Sequence, residues 1–294
     1  MVELIQINKE NALSFRPLIR EDAYPFLLDP DVLALGLVKD DTAFAAAVFR
    51  IQEDGEAGLL SIAVSESGRR QGYGTELIVE ATDFMVDQLD VIRLSCDFVE
   101  GGDDKEAFKG FLKYLEFETE KQPGGCYRIS LKKLRENRLL EGGSKDCKSV
   151  ADLTTIERKL LYREEMDLKP LEEQGWIEEQ LSCVKQDGPS LSSVLIFTKG
   201  DGSGDIYGDE PKEGALCIQW ARSDSDNPAT ILSLFRYAMK KLEAYPEDTE
   251  IYVPVLNEAS ERLTEKILGE GAEKIEQSYH AELDLEVEAG AEAG

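Results

Sequence analysis

With 294 residues, 42% of them hydrophobic and 32% charged, the chain is long enough for two domains that each bury a core. Its formal net charge of −27 repels phosphate backbones and anionic headgroups, which excludes nucleic acid and membrane surfaces as expected partners. Residues 1–135 hold 16 basic against 25 acidic side chains and the remainder 17 against 35, an excess that reads first as a solubilising surface and second as an attractor of cationic ligands.

Five cysteines, Cys96, Cys126, Cys147, Cys183 and Cys217, are odd in number, scattered and free of any C-x-x-C pair. They read as reduced thiols of a cytoplasmic protein, with no zinc site. No secretory leader precedes Val2 and no apolar run approaches a membrane span, which points the same way. The single histidine, His280, rules out a histidine cluster for metal and makes a Ser-His-Asp triad improbable; it is expected to be a strand residue rather than a catalyst.

In chain order, Val2 to Ile7 predicts a first strand, and Asn8 onward predicts a helical segment through Phe15, Leu18 and Ile19 that Pro17 interrupts. Val32 to Val38, Thr42 to Ile51 and Leu59 to Val64 predict three strands, with turns at Lys39-Asp40-Asp41 and Glu53-Asp54-Gly55-Glu56. A polar turn, Arg69-Arg70-Gln71-Gly72-Tyr73-Gly74, then opens a helix with Leu77, Ala81, Phe84 and Met85 expected on its buried face. Val91 to Val99 predicts a strand, Glu106 to Glu116 a helix and Tyr127 to Leu131 a strand.

A strand that feeds a turn rich in glycine and arginine and then a helix makes an anion cradle. The first-turn N–H groups lack intrahelical partners, the helix dipole adds positive charge, and glycine lets a ligand approach the backbone. The glycine spacing is neither G-x-G-x-x-G nor a P-loop. It resembles the R/Q-x-x-G-x-G/A signature of the GNAT acetyltransferases, and the order β-α-β-β-β-α-β-α-β over residues 1–135 is that family's order. The resemblance implies that the turn's amides hold the pyrophosphate of acetyl-CoA as co-substrate while the preceding strand bonds the pantetheine arm. The contact residues so implied are Ile62, Ala63, Val64, Arg69, Arg70, Gln71, Gly72, Tyr73, Gly74, Thr75 and Asp104. It also implies that the strands on either side of the cradle splay apart around the thioester.

Residues 136–150 are polar and interrupted by Gly142-Gly143, and are expected to be a linker. Beyond them, Leu153 to Met166 predicts a helix, Leu181 to Val184 and Leu191 to Thr198 strands around the turn Lys185 to Pro189, Lys199 to Glu213 an exposed loop, and Ala215 to Ala221 a buried strand. A helix follows with Ile231, Phe235, Ala238 and Leu242 in line, Pro228 at its first position and Asn227 at its cap. Glu250 to Val255, Asn257 to Leu268 and Ile275 to Leu285 then read as strand, helix and strand, ending in the tail EVEAGAEAG. Residues 151–294 therefore resemble a second GNAT domain, and the expected fold class is a mixed α/β sheet in two tandem GNAT-like acyl-CoA N-acyltransferase domains. At the second helix mouth stand Asp224, Asp226 and Asn227, whose carboxylates repel a pyrophosphate, so this half is expected not to bind CoA. The resemblance implies that it packs against the first half and closes part of the substrate cleft.

Acetyl transfer to an amine needs a base for the amine proton, a donor for the oxyanion and an acid for the leaving thiolate. The resemblance places the oxyanion contact on the backbone N–H groups around Ile62, Ala63 and Val64, and the acid on a tyrosine in N-x-x-A-x-x-F-Y-x-x-x-G-F. Here that pattern departs: anchored on Phe117 the tyrosine position is Leu112, and anchored on Ala107 it is Phe111. Tyr114 lies about 200° around the helix from Leu112 and would serve only in a shifted register. Asp97 and Glu66 are the carboxylates available as base, and Asp97, which shares a strand face with Arg93 and Ser95, reads equally as a salt-bridged surface group or as a cleft base. Cys96, on the other face beside Leu94 and Phe98, reads as a core residue. The expected reaction is transfer of acetyl to a primary amine of a small molecule. Polyamines, aminoglycosides, amino acids and protein amino groups stay open, and the acidic surface favours a cation; a non-catalytic acyl-CoA-binding or protein-interaction module is the alternative. Oligomeric state is not readable.

Overall fold

The computed structural model of the chain describes residues 2–40, 42–100, 105–144, 146–173, 175–187, 190–200, 214–224 and 228–285. The turn residue Asp41, residues 201–213 of the expected loop, Pro189, Asp226, Asn227 and the tail from 286 on lie outside them. In chain order the elements are β1 Val2–Gln6, α1 Ala12–Phe15, β2 Val32–Lys39, β3 Thr42–Ile51, β4 Glu56–Val64, α2 Tyr73–Leu89, β5 Arg93–Glu100, α3 Lys105–Tyr114, β6 Glu118–Ser130 and α4 Leu131–Arg135. There follow β7 Cys147–Ser149, α5 Thr155–Glu164, α6 Lys169–Glu173, β8 Cys183–Asp187, β9 Ser190–Gly200, β10 Ala215–Ser223, α7 Pro228–Leu242, β11 Glu250–Val255, α8 Glu258–Leu268 and β12 Glu273–Asp284.

Two compact units result, and they are not the linear halves of the chain. The first comprises Met1–Phe98, Ala107–Lys121 and Tyr279–Gly294, and the second Val99–Glu106 and Gln122–Ser278. Each unit thus takes a closing strand from the other half of the sequence, β12 from Tyr279 in the first and β6 from Gln122 in the second.

In the first unit the strand order is β1-β2-β3-β4-β5-β12. β1 to β4 are antiparallel neighbours, and β5 joins β4 in parallel through the crossover helix α2. The period-two alternation of β2 and β3 divides their side chains between two cores. Leu35, Leu37, Ala45, Ala47 and Phe49 face α2, while Ala34, Ala46 and Val48 face Phe15, Leu18 and Leu27 on the other side. Gly36 is required there, since a Cβ would lie 2.2 Å from the Phe15 ring.

On α2 the buried stripe is Leu77, Ile78, Ala81 and Met85, and Phe84 is 39% exposed, which corrects its expected placement. At about 100° per residue Ala81 and Met85 centre the stripe between Leu77 and Ile78, and Phe84 falls just outside its Leu77 edge. β4 starts at Glu56 rather than Leu59, which shortens the turn before it.

In the second unit the order is β12-β6-β11-β10-β9-β8-β7 around a core that includes Phe197, Leu216, Leu234, Phe235 and Ile251. β6 begins at Glu118, nine residues before the expected Tyr127. The exposed side chains of its first half carry no hydrophobic alternation, and the strand forms because neighbouring strands pair with its backbone. The expected linker 136–150 is structured instead: it holds a 3-10 turn, Arg138–Leu140, and β7, with Leu140, Cys147 and Val150 buried. No helix among the described residues is long and apolar enough to cross a membrane.

Candidate acyl-CoA site

β4 and β5 pair only at Glu56↔Arg93, Ala57↔Leu94 and Gly58↔Ser95. The register of β4 against β3 slips immediately afterwards, from Phe49↔Leu59 to Val48↔Ser61, leaving Leu60 as an extra residue. Such a bulge bends the strand that carries it. β4 therefore stays on β3 as far as Val64 while parting from β5, and a gap opens between Leu59–Val64 and the β5 segment from Cys96. Along that gap the β4 edge, Ile62, Ala63 and Val64 included, offers backbone hydrogen-bonding groups with no β5 partner.

After β4 a 3-10 turn, Glu66–Gly68, leads to Arg69 and to Arg70 at φ 60°. Gly72 caps α2 at φ 89°, where a β-carbon is strained, and no side chain caps the helix. Among the described residues the backbone N–H groups from Arg70 to Thr75 find no acceptor. Arg69 and Arg70 are exposed and make no ion pair with a described residue. Gln71 donates to the Ser67 carbonyl at 2.6 Å, which folds the turn on itself. Tyr73 packs its ring on Phe44 at 5.6 Å, and Thr75 is half-buried. A 17-residue helix whose first-turn donors are free, flanked by two uncompensated guanidinium groups, fits a di-anionic phosphate group.

α3 closes the other side of the gap. Phe111 lies against the cradle, 3.4 Å from where a Gly74 Cβ would be, and continues into an aromatic row through Phe108 at 6.3 Å, Phe98 at 5.4 Å and Tyr279 at 5.4 Å. Leu112 is fully buried and Tyr114 is 73% exposed. Phe111 thus occupies the cradle-facing position, and neither it nor Leu112 can donate a proton. Asp104 lies outside the described residues. Glu66 is exposed in the turn before the cradle.

Asp97 stands on β5 two residues past the last pair, as Leu60 does on β4, so the two flank the throat of the gap. Its exposed carboxylate lies 2.6 Å from Nδ1 of His280, a partner 183 residues away that no local signal reveals. Cys96 beside it is buried in the core, and burial pushes its thiol up to about 12, so it is no nucleophile. Among the described residues no group of His, Cys, Asp and Glu is arranged to hold a metal ion.

The second unit repeats the backbone device without the charge. β10 pairs with β11 in parallel only at Leu216↔Ile251 and Cys217↔Tyr252, and its register against β9 slips at Gln219. At the end of β10, however, Arg222 is held by Glu165, Asp224 and Glu164.

Residues 2–107 match the acetyltransferase (GNAT) family model. This segment is similar to a GNAT domain. Over the whole chain the fold is that of tandem GNAT proteins. The tandem GNAT protein from the clavulanic acid biosynthesis pathway superimposes with a TM-score of 0.52 at 12% identity, covering 97% of this chain and 98% of that one. A GCN5-related glucosamine N-acetyltransferase region of a fungal multi-domain GH3 β-N-acetylglucosaminidase gives 0.53 at 12% identity, covering 96% of this chain and 38% of that one. No curated protein sequence matches this chain.

Proposed function

We propose that the first unit binds acetyl-CoA and transfers its acetyl group to a primary amine, and that the second unit binds no CoA. The observation that carries this reading is the bulge-driven splay of β4 from β5, opening directly onto a helix mouth whose N–H groups find no acceptor, and whose two arginines make no ion pair, among the described residues. Pyrophosphate would lie on Arg69 to Thr75, the pantetheine arm along Ile62 to Val64, and the thioester in the throat between Leu60 and Asp97. Backbone N–H groups of β4 would receive the oxyanion, and holding both reactants in one gap supplies the main rate advantage. Neutralisation of Arg222 by three carboxylates supports a silent second unit. The high negative charge favours a cationic small-molecule acceptor, and five free cysteines suit a cytoplasmic location.

One observation favours a second reading. Phe111 stands at the cradle where a hydroxyl donor is expected, as suits a protein that binds acyl-CoA without turning it over. Calorimetric titration with acetyl-CoA, and separately with CoA, tests the common ground of both. One site per chain is the expected result, and absence of binding at millimolar ligand overturns the assignment. Release of free thiol in the presence of a panel of amines then separates enzyme from binding module.

A further inference from the structure

The single histidine of the chain is tied between two carboxylates beside the throat. Nδ1 of His280 lies 2.6 Å from Oδ1 of Asp97 on β5, and Nε2 lies 3.0 Å from Oε1 of Glu282 on its own strand, β12. The imidazole is 28% exposed, whereas the Asp97 side chain is 85% exposed, with its second oxygen in no described hydrogen bond. Arg93, on the same face of β5, is occupied by Glu56 and Asp284. The charges acting on His280 are therefore Asp97 and Glu282.

Resting on the acetyltransferase reading above, we propose that Asp97 takes the proton of the acceptor ammonium and that His280 is the positioning residue that receives it, so that the base is the Asp97–His280 pair. A carboxylate alone holds a proton too weakly to strip an ammonium efficiently near neutral pH. An imidazole behind it changes the balance. A neutral ring has one N–H for two carboxylates, and leaves a lone pair facing one of them. A proton entering through Asp97 to Nδ1 restores the missing hydrogen bond while Nε2–H stays on Glu282. The affinity of His280 for a proton is raised accordingly, first by its hydrogen bond to Asp97 and opposed by burial.

The step balances. The ammonium gives one proton to the pair, and its nitrogen bonds to the thioester carbonyl carbon. The C–S bond then breaks with its electron pair on sulfur. The nitrogen's second proton ends on the thiolate, directly or through water, and the imidazolium returns the first to solvent.

One histidine gives one set of imidazole signals, so NMR observes the pair directly. Acetyl-CoA, which reaches the throat, is expected to shift the His280 ring signals and their titration midpoint, whereas adenosine 3′,5′-bisphosphate, confined to the cradle, should leave them in place. Saturation by acetyl-CoA, checked by calorimetry, with His280 unmoved would overturn the proposal while leaving the CoA site standing; absence of any CoA binding overturns both. Methylamine needs no acceptor pocket and serves as the probe of transfer. With saturating acetyl-CoA, His280→Gln is expected to lower thiol release to methylamine on the order of 10²-fold and to remove the acid limb of the pH profile, with CoA affinity unchanged. Equal rates and profiles in both proteins, or no release by the wild type at any pH, overturn it.

Discussion

Phe111 packs its ring against Gly74, so that a single Cβ added at the glycine would sit 3.4 Å from it and equally close to Val64 on β4. In the proposed cradle Gly72 and Gly74 are the two glycines at which the backbone would approach the pyrophosphate. Replacing both, Gly72→Glu with Gly74→Glu, puts carboxylates into the cradle and is expected to weaken acetyl-CoA binding by at least about 10²-fold, measured by calorimetry. Circular dichroism would check that the variant folds, since Gly72 at φ 89° adds a backbone strain of roughly 1–2 kcal/mol. Unchanged affinity in a folded variant sinks the site.

Phe111→Tyr restores a hydroxyl beside the cradle. If leaving-thiolate protonation limits turnover, thiol release should rise about tenfold, with acetyl-CoA affinity within a factor of about three. No change with any amine would mean that the ring serves packing alone.

His280 also couples to stability. Its folded-state proton affinity is raised, so its contribution is fully present below the unfolded value of about 6.5 and is lost as pH rises through the folded one. The Tm advantage of wild type over His280→Gln should therefore be largest near about pH 6 and fall away as pH rises through the folded-state midpoint. A pH-independent difference would show that the ring acts by packing.

Gly36→Ala tests the second core of the first unit. Its methyl group would meet the buried Phe15 ring at 2.2 Å, and overpacking of this kind costs about 1–3 kcal/mol in a denaturant titration. A neutral result would show that the α1 segment yields easily.

Legibility in the sequence followed the range of the interactions. The cradle was visible because glycine, arginine and a helix start lie within a few adjacent residues, and β2 and β3 because each is a continuous apolar run bounded by polar turns. The first half of β6 was not visible: its side chains are exposed, and only the backbones of its neighbours make it a strand. The linker expectation failed for a related reason, since the apolar residues Leu140, Cys147 and Val150 are spaced irregularly among polar ones and find their partners far along the chain.

By itself the sequence determined the strand-turn-helix proposed to receive an anion, the absence of a tyrosine at the expected position, and the repetition of the same element order in the second half. Tertiary structure alone decided that β4 bends away from β5 at Leu60, that each unit is completed by a strand from the other half of the chain, and that Asp97 meets His280 across 183 residues. Bulges, strand exchange and ion pairs between strands depend on register, and register is set by pairing between distant segments, which no local pattern encodes.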